Sequence, residues 1–226
     1  TCRGLAAKGH DVTLIAGSET GPEGSLWQSA RESGAKTIEL ESMRRAVRPL
    51  DDFRAYRELI ARFKELKPDV VHTHSSKAGI LGRAAAAKAG APIIVHTIHG
   101  MSFNRTQPWL TRTAYRLSER RAARCTNKIV TVADAMLEQA VAAGIGSREQ
   151  MVTIRSGLEV ARFAPNEESR KAVRSAWGVA DDDIVVGTIA RLFKNKGYEE
   201  IMAAMPLALE RAPKLRFLWV GDGANR

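Results

Sequence analysis

The sequence predicts an α/β protein built from parallel strands with helices over both faces, and three observations carry that expectation. Short β-branched runs alternate with longer helix-forming stretches along the whole chain. The strands read as buried and are separated by crossover helices, as in a doubly wound sheet. The 226 residues, 44% hydrophobic and 27% charged, suffice for one α/β domain and part of another, and they exclude a disordered, collagen-like or disulfide-stapled chain.

The elements follow in order. TCRGLAAKGHD reads as the end of a helix entering a first strand, Val12–Ala16. A helix over Glu23–Ser33 precedes the strand Thr37–Leu40. In the helix Leu50–Leu66, the residues Leu50, Phe53, Leu59, Ile60, Phe63 and Leu66 are expected to face the sheet, the alternative being an apolar contribution to peripheral membrane association. Next come the strand Asp69–His74, the helix Lys77–Ala89 ended by Gly90, the strand Pro92–His99 and the helix Pro108–Arg124. Lys128–Ala133, Asp134–Ala143 and Met151–Arg155 continue the strand–helix–strand alternation. Ala164-Pro165-Asn166 then marks a boundary, after which helix Glu167–Trp177, strand Ile184–Ala190, helix Gly197–Ala212 and strand Arg216–Val220 begin a second unit. The expected domains are 1–163 and 164–226. Because the chain opens on Thr1 and stops just after a strand, it is expected to be a fragment, its first domain lacking one strand and its second truncated.

Charge divides the chain in the same way. The net charge is +10, and all of it lies in residues 1–180, with a local +12 between Arg44 and Lys128. Arg44, Arg45 and Arg48 form one cluster, and Arg112, Arg116, Arg120, Arg121 and Arg124 another. Such a field suits nucleic acid, anionic lipid or a diphosphate, or is a solvated basic face. The most apolar long stretch, Ala78–Val95, is interrupted by Arg83, Lys88 and Pro92, so no membrane-spanning helix is expected. Cys2 and Cys125 form no Cys-x-x-Cys pair, which fits a reducing cytoplasm and neither a disulfide framework nor a zinc knuckle.

Parallel sheets bind ligands beyond the carboxyl ends of their strands. Four of the five histidines, His72, His74, His96 and His99, fall at two such ends, in DVVHTHSSKAG and PIIVHTIHGMSF. His72 and His74 share a face by strand periodicity. Singly, His72 and His96 read equally well as core histidines satisfied by backbone groups. His-x-His could also serve a metal, but neither loop supplies a carboxylate, so no metal site is expected. Ser75, Ser76 and Lys77 open a helix and suit an anion or sugar hydroxyls, or simply cap it. In GTIARLFKNKG, Arg191 and Lys196 leave a strand end five residues apart, as a pair of cations that could clamp a diphosphate. Gly221-Asp222-Gly223 ends the next strand in a turn that a nucleotide could approach closely. A dinucleotide fingerprint would need glycine where Arg226 stands, no P-loop is present, and Asp181-Asp182-Asp183 reads as a turn.

Taken together, DVVHTHSSKAGILGR, IVHTIHGMSF, TVADAMLEQAVAAGI with IRSGLEVARF, and GTIARLFKNKG with FLWVGDG resemble the retaining nucleotide-sugar glycosyltransferases of family 4, of the bacterial cell-surface polysaccharide type. That resemblance implies a GT-B fold, two facing Rossmann-like domains, with 1–163 on the acceptor side and 164–226 beginning the donor-binding domain. It implies that His99, beside Gly100, approaches the donor sugar as the catalytic histidine. By the same resemblance Arg191 and Lys196 bind the donor diphosphate and Gly221, Asp222 and Gly223 form the nucleotide-side turn, while His74, Ser75, Ser76, Lys77 and Gly100 line the acceptor-side cleft. Ser156 and Glu159 depart from the family's Asn-Gly-Ile-Asp pattern. The family's amino-terminal glycine-rich loop and its Glu-x7-Glu motif lie outside these residues, so the fragment alone is expected to be inactive. The implied reaction moves a hexosyl or aminohexosyl group from a UDP- or GDP-sugar to a membrane-associated, lipid- or saccharide-linked acceptor, such as a polyprenyl diphosphate, with retention and without metal or other cofactor. The expected location is cytoplasmic, peripheral on the inner face of the plasma membrane. A nucleotide-sugar epimerase of the same fold and a basic nucleic-acid-binding module are the alternatives. An aromatic content of 6% disfavours the second, and no nucleic-acid partner is expected.

Overall fold

A computed structural model describes residues 1–18, 24–104, 107–193 and 196–223. The chain divides into two compact units, Thr1–Gly157 and Leu158–Arg226. This division lies six residues before the expected boundary, because the one-turn helix Val160–Phe163 leads into the second unit, where Arg162 and Ala164 line a hollow with the helix that follows.

The first unit runs α1 (Cys2–Ala6), β1 (Thr13–Gly17), α2 (Trp27–Glu32), β2 (Lys36–Leu40), α3 (Pro49–Leu66), β3 (Val70–His74), α4 (Ser76–Ala89), β4 (Ile93–Ile98), α5 (Trp109–Ala123), β5 (Lys128–Thr131), α6 (Asp134–Ala142) and β6 (Met151–Thr153). The expected helix over Glu23–Ser33 begins only at Trp27; its first residue, Glu23, lies outside the described residues. Pro49 and the acidic pair Asp51 and Asp52 start α3 favourably, because proline fixes φ and carboxylates suit the positive end of the helix dipole. Gly90 ends α4 in the left-handed conformation, at φ 81°.

Among the described residues every strand pairing is parallel, and the strands of this unit form two ladders, β1–β2 and β3–β4–β5–β6. Packing unites them. Leu40 of β2, Leu59 and Phe63 of α3, Val71 of β3, Ala85 and Ala86 of α4 and Ile94 of β4 form one buried core, against which Ile15 and Ile38 pack. A second core joins Ile98, Ala123, Ile129, Ala140, Ile145 and Met151. The apolar stripe of α3 is covered only from Ala55 to Phe63. Leu50, Phe53 and Leu66, expected to face the sheet, are 86%, 61% and 39% exposed.

Helix α4 lies close on the sheet because two glycines allow it. A Cβ at Gly82 would meet Thr73 Cγ2 at 2.9 Å, and one at Gly79 would run into the His96 ring. Between α4 and α5 lies a buried ion pair, Arg83 Nη2 to Glu119 Oε2 at 2.6 Å. Arg83 Nε also donates to the Gly79 carbonyl at 2.9 Å.

The second unit contains α7 (Glu167–Ala176), β7 (Ile184–Ile189), α8 (Tyr198–Arg211) and β8 (Leu215–Val220), with β7 and β8 parallel. Asn166 caps α7 by accepting from Ser169 N at 2.7 Å. Asp181 and Asp182 form a turn, as expected, and Asp181, Asp182 and Asp183 each pair with a cation: Arg170 at 3.2 Å, Lys214, and Arg216 at 3.0 Å. No helix among the described residues is long and apolar enough to cross a membrane.

Candidate active site

The parallel register puts the carboxyl ends of β3 and β4 side by side, with His74 opposite Thr97. Strand alternation then separates the histidines. His72 and His74 share a face, their ring centroids 4.3 Å apart. His72 Nε2 hydrogen-bonds Thr97 Oγ1 at 2.7 Å, and His74 Nδ1 shares a hydrogen bond of 3.0 Å with His99 Nε2. The ring centroids of His74 and His99 are 5.3 Å apart, the rings stacked at an interplanar angle of 29°. His96 lies on the other face, buried beneath Gly79, its Nδ1 2.9 Å from Thr73 Oγ1. His72 and His96 are thus satisfied by threonine hydroxyls, while His74 and His99 satisfy each other.

Burial works against a charge on His72, His74 and His96. Burial, and then the nearby Arg83 guanidinium, push the pKa of His96 down to about 3. Desolvation, followed by the neighbouring His72 and His99, brings His74 down to about 4. Desolvation, and then His99, lowers His72 as well.

Beside this row lies a cavity of about 280 Å³ lined by Ser75, Ser76, His99, Gly100, Ser102 and Glu119, among others. Three of the residues expected at the acceptor side, Ser75, Ser76 and Gly100, therefore come together with His99, which His74 supports. Lys77 does something else. Its ammonium pairs with Asp52 of α3 and donates to the carbonyls of Arg44 at 2.8 Å and Ala46 at 2.5 Å, tying the loop before α3 to the start of α4. Ser75 precedes α4 with φ 65°, a conformation costly for a residue with a side chain, and makes no side-chain capping bond. Capping therefore does not account for it.

Ser102 and Glu119 were not singled out from the sequence. Ser102 Oγ is buried without a hydrogen-bond partner, as is Nη1 of Arg83, the partner of Glu119. The sequence did carry a signal: Glu119 is the only acid in the strongly basic α5, and Arg83 interrupts the run of small residues from Gly82 to Ala87 in α4.

In the second unit, the chain beyond β7 continues its bonding to the chain beyond β8: Ala190 N donates to Val220 O at 3.2 Å and Leu192 N to Asp222 O at 2.9 Å. The glycines of the turn are required by this contact. A Cβ at Gly221 would strike the Ala190 carbonyl, and one at Gly223 the Leu192 carbonyl. Arg191 and Lys196 are exposed on the same loop, with the Arg191 guanidinium 5.3 Å from the centre of the Phe193 ring. Lys194 and Asn195 of GTIARLFKNKG, and Arg226, lie outside the described residues.

Comparison with known proteins gives this arrangement a family. Residues 1–157 match the glycosyl transferase 4-like domain. Over 215 residues the chain is 28% identical to the UDP-Gal:alpha-D-GlcNAc-diphosphoundecaprenol alpha-1,3-galactosyltransferase of Escherichia coli, covering 94% of the chain and 54% of that protein. It is 21% identical to the capsular polysaccharide biosynthesis glycosyltransferase CapM of Staphylococcus aureus, over 80% of the chain and 48% of CapM. The chain spans about half the length of these curated relatives. Among solved structures it superposes on Anabaena HepE in complex with UDP and glucose with a TM-score of 0.70, at 17% identity, covering 92% of the chain and 53% of HepE, which shows a shared fold. With parallel α/β units of GT-B type and a family match over most of its length, the chain belongs to the glycosyl transferase 4-like family.

Proposed function

We propose that this chain belongs to a retaining glycosyltransferase that moves a hexosyl or aminohexosyl group from a UDP- or GDP-sugar to a membrane-associated, polyprenyl-diphosphate-linked acceptor in cell-surface polysaccharide synthesis. The observation that carries this reading is the loop after β7, where Arg191 and Lys196 are presented beside a turn whose two glycine positions have no room for a side chain. An acceptor hydroxyl attacks the anomeric carbon, the glycosidic C–O bond to the diphosphate breaks, and the departing nucleoside diphosphate gathers negative charge. Arg191 as a planar fork and Lys196 as a point charge would stabilise that charge in place of a metal. His99 would contact the donor sugar through a hydrogen bond, and Ser75, Ser76 and Glu119 would offer polar groups to acceptor hydroxyls in the adjoining cavity. The curated relative from Escherichia coli, whose name specifies a UDP-sugar and a diphosphoundecaprenol, supports the donor and acceptor classes.

A lipid-linked acceptor would put the enzyme on the inner face of the plasma membrane. In support, Val47, Leu50 and Phe53 are exposed around the start of α3, within the cluster of Arg44, Arg45 and Arg48, and Lys77 ties this loop to the start of α4. Trp109 and Leu110 are likewise exposed at the start of α5, followed by Arg112 and Arg116. Apolar tips set among cations suit an anionic lipid surface. The test is to incubate the intact enzyme with polyprenyl-diphosphate-linked sugar and a panel of UDP- and GDP-hexoses. Transfer of one sugar with an α-linkage retained from the α-donor supports the reading; donor turnover to an epimer without transfer refutes it.

A further inference from the structure

We propose that His74 is a positioning residue for His99, holding its ring by Nε2 so that Nδ1 is the nitrogen His99 offers to a ligand. The inference rests on the reading of His99 as the histidine that meets the donor sugar, and it assigns the atom through which it does so. A neutral imidazole carries one N–H and one bare nitrogen. In the 3.0 Å bond between His74 Nδ1 and His99 Nε2, one ring therefore donates and the other accepts, and the tautomers of the two rings are coupled. If His74 donates, His99 carries its proton on Nδ1 and is a donor there; if His99 donates, Nδ1 is its acceptor. In either arrangement Nε2 is occupied.

His74 is itself held on two sides. It is the last residue of β3, paired in register with Thr97, and its ring lies 4.3 Å from that of His72. His72 is fixed in turn by its 2.7 Å bond to Thr97 Oγ1. Immediately after His74 the chain turns through Ser75 at φ 65°, sending α4 away and leaving His99 over the His74 ring. His99 is exposed and stands beyond the last residue of β4, where no ladder bond orients it. The hydrogen bond from His74 and the stacking of the two rings supply that orientation. The desolvation that lowers the pKa of His74 to about 4 keeps it neutral near pH 7, so the pair does not become two facing cations.

The experiment has two arms. Long-range 1H–15N NMR of this chain reads the ring nitrogens of His99 directly. In the wild type they should show the separated shifts of one tautomer. His74→Phe keeps a ring against His72 but removes the nitrogen, and the two His99 shifts should move together toward an average. His74→Asn returns an amide near the Nδ1 position and should restore the separation. In the intact enzyme, His74→Phe should lower kcat by about tenfold with the donor KM within about twofold, and His74→Asn should recover most of the loss. His99 shifts unchanged in His74→Phe would overturn the proposal. Altered shifts with kcat unchanged would leave the pairing standing and remove His99 from the reaction, so the two claims fail separately.

Discussion

His96 links the stability of the first unit to pH in a way that can be worked through in numbers. Its ring is 2% exposed beneath Gly79 and hydrogen-bonded to Thr73, with its pKa pushed down to about 3 by burial and by Arg83. An unfolded histidine titrates near 6.5, so the unfolded state binds a proton that the folded state refuses. The stabilisation from a neutral His96 is therefore complete above about pH 6.5 and is lost as pH falls toward 3. Between pH 7 and pH 5 the loss is about 2 kcal/mol from this one residue. The lowered His72 and His74 change stability in the same direction. Urea-dependent hydrogen exchange of peptides covering β3 and β4 reads the opening of this unit by itself, which matters because the chain has two units. The same measurement on His96→Gln, which cannot titrate, removes the contribution of every other group by difference. The wild type should lose about 2 kcal/mol more than His96→Gln between the two pH values. Equal losses would refute the claim that His96 is held neutral by burial.

The Arg83–Glu119 pair should behave as a buried ion pair does: Glu119→Ala, which strands a guanidinium that is 0% exposed, should cost about 3–5 kcal/mol in urea unfolding, whereas Arg83→Met with Glu119→Leu should cost much less. A double variant as unstable as the single one would contradict this. Flotation with vesicles should show the chain bound to anionic lipid and released as salt rises, with Leu50→Ser and Phe53→Ser weakening binding independently of salt. Equal binding to neutral vesicles, or none to either, would exclude the membrane role of this surface.

Much of the architecture was legible because periodicity is a local signal. The strands β3, β4, β7 and β8 fall within a residue of where their β-branched runs place them, and the helix stop at Gly90 follows from a residue tolerant of positive φ. What failed depended on neighbours distant in sequence. The helical stripe from Leu50 to Leu66 says which residues share a face but not where the sheet beneath it ends, so Leu50 and Phe53 could not be recognised as uncovered. Lys77 looked available for an anion because nothing local reveals that Asp52 and the carbonyls of Arg44 and Ala46 surround it. His72 and His74 could be placed on one face by alternation alone, yet the bond from His74 to His99 needed the register between β3 and β4. Gly221 and Gly223 were read as a turn open to a nucleotide, and the local sequence could not show that the backbone of residues 190–192 lies against both glycines.

The most direct test is the effect of Arg191→Ala and Lys196→Ala on transfer by the intact enzyme, measured as kcat/KM with the nucleotide sugar it uses. Each substitution removes one preorganised cation from the departing diphosphate and should cost about 2–4 kcal/mol of transition-state stabilisation, a fall of roughly thirtyfold to several hundredfold. Chelation of divalent metal should leave the wild-type rate unchanged. Transfer by both variants within about twofold of the wild type would contradict the assignment of the diphosphate to the loop after β7.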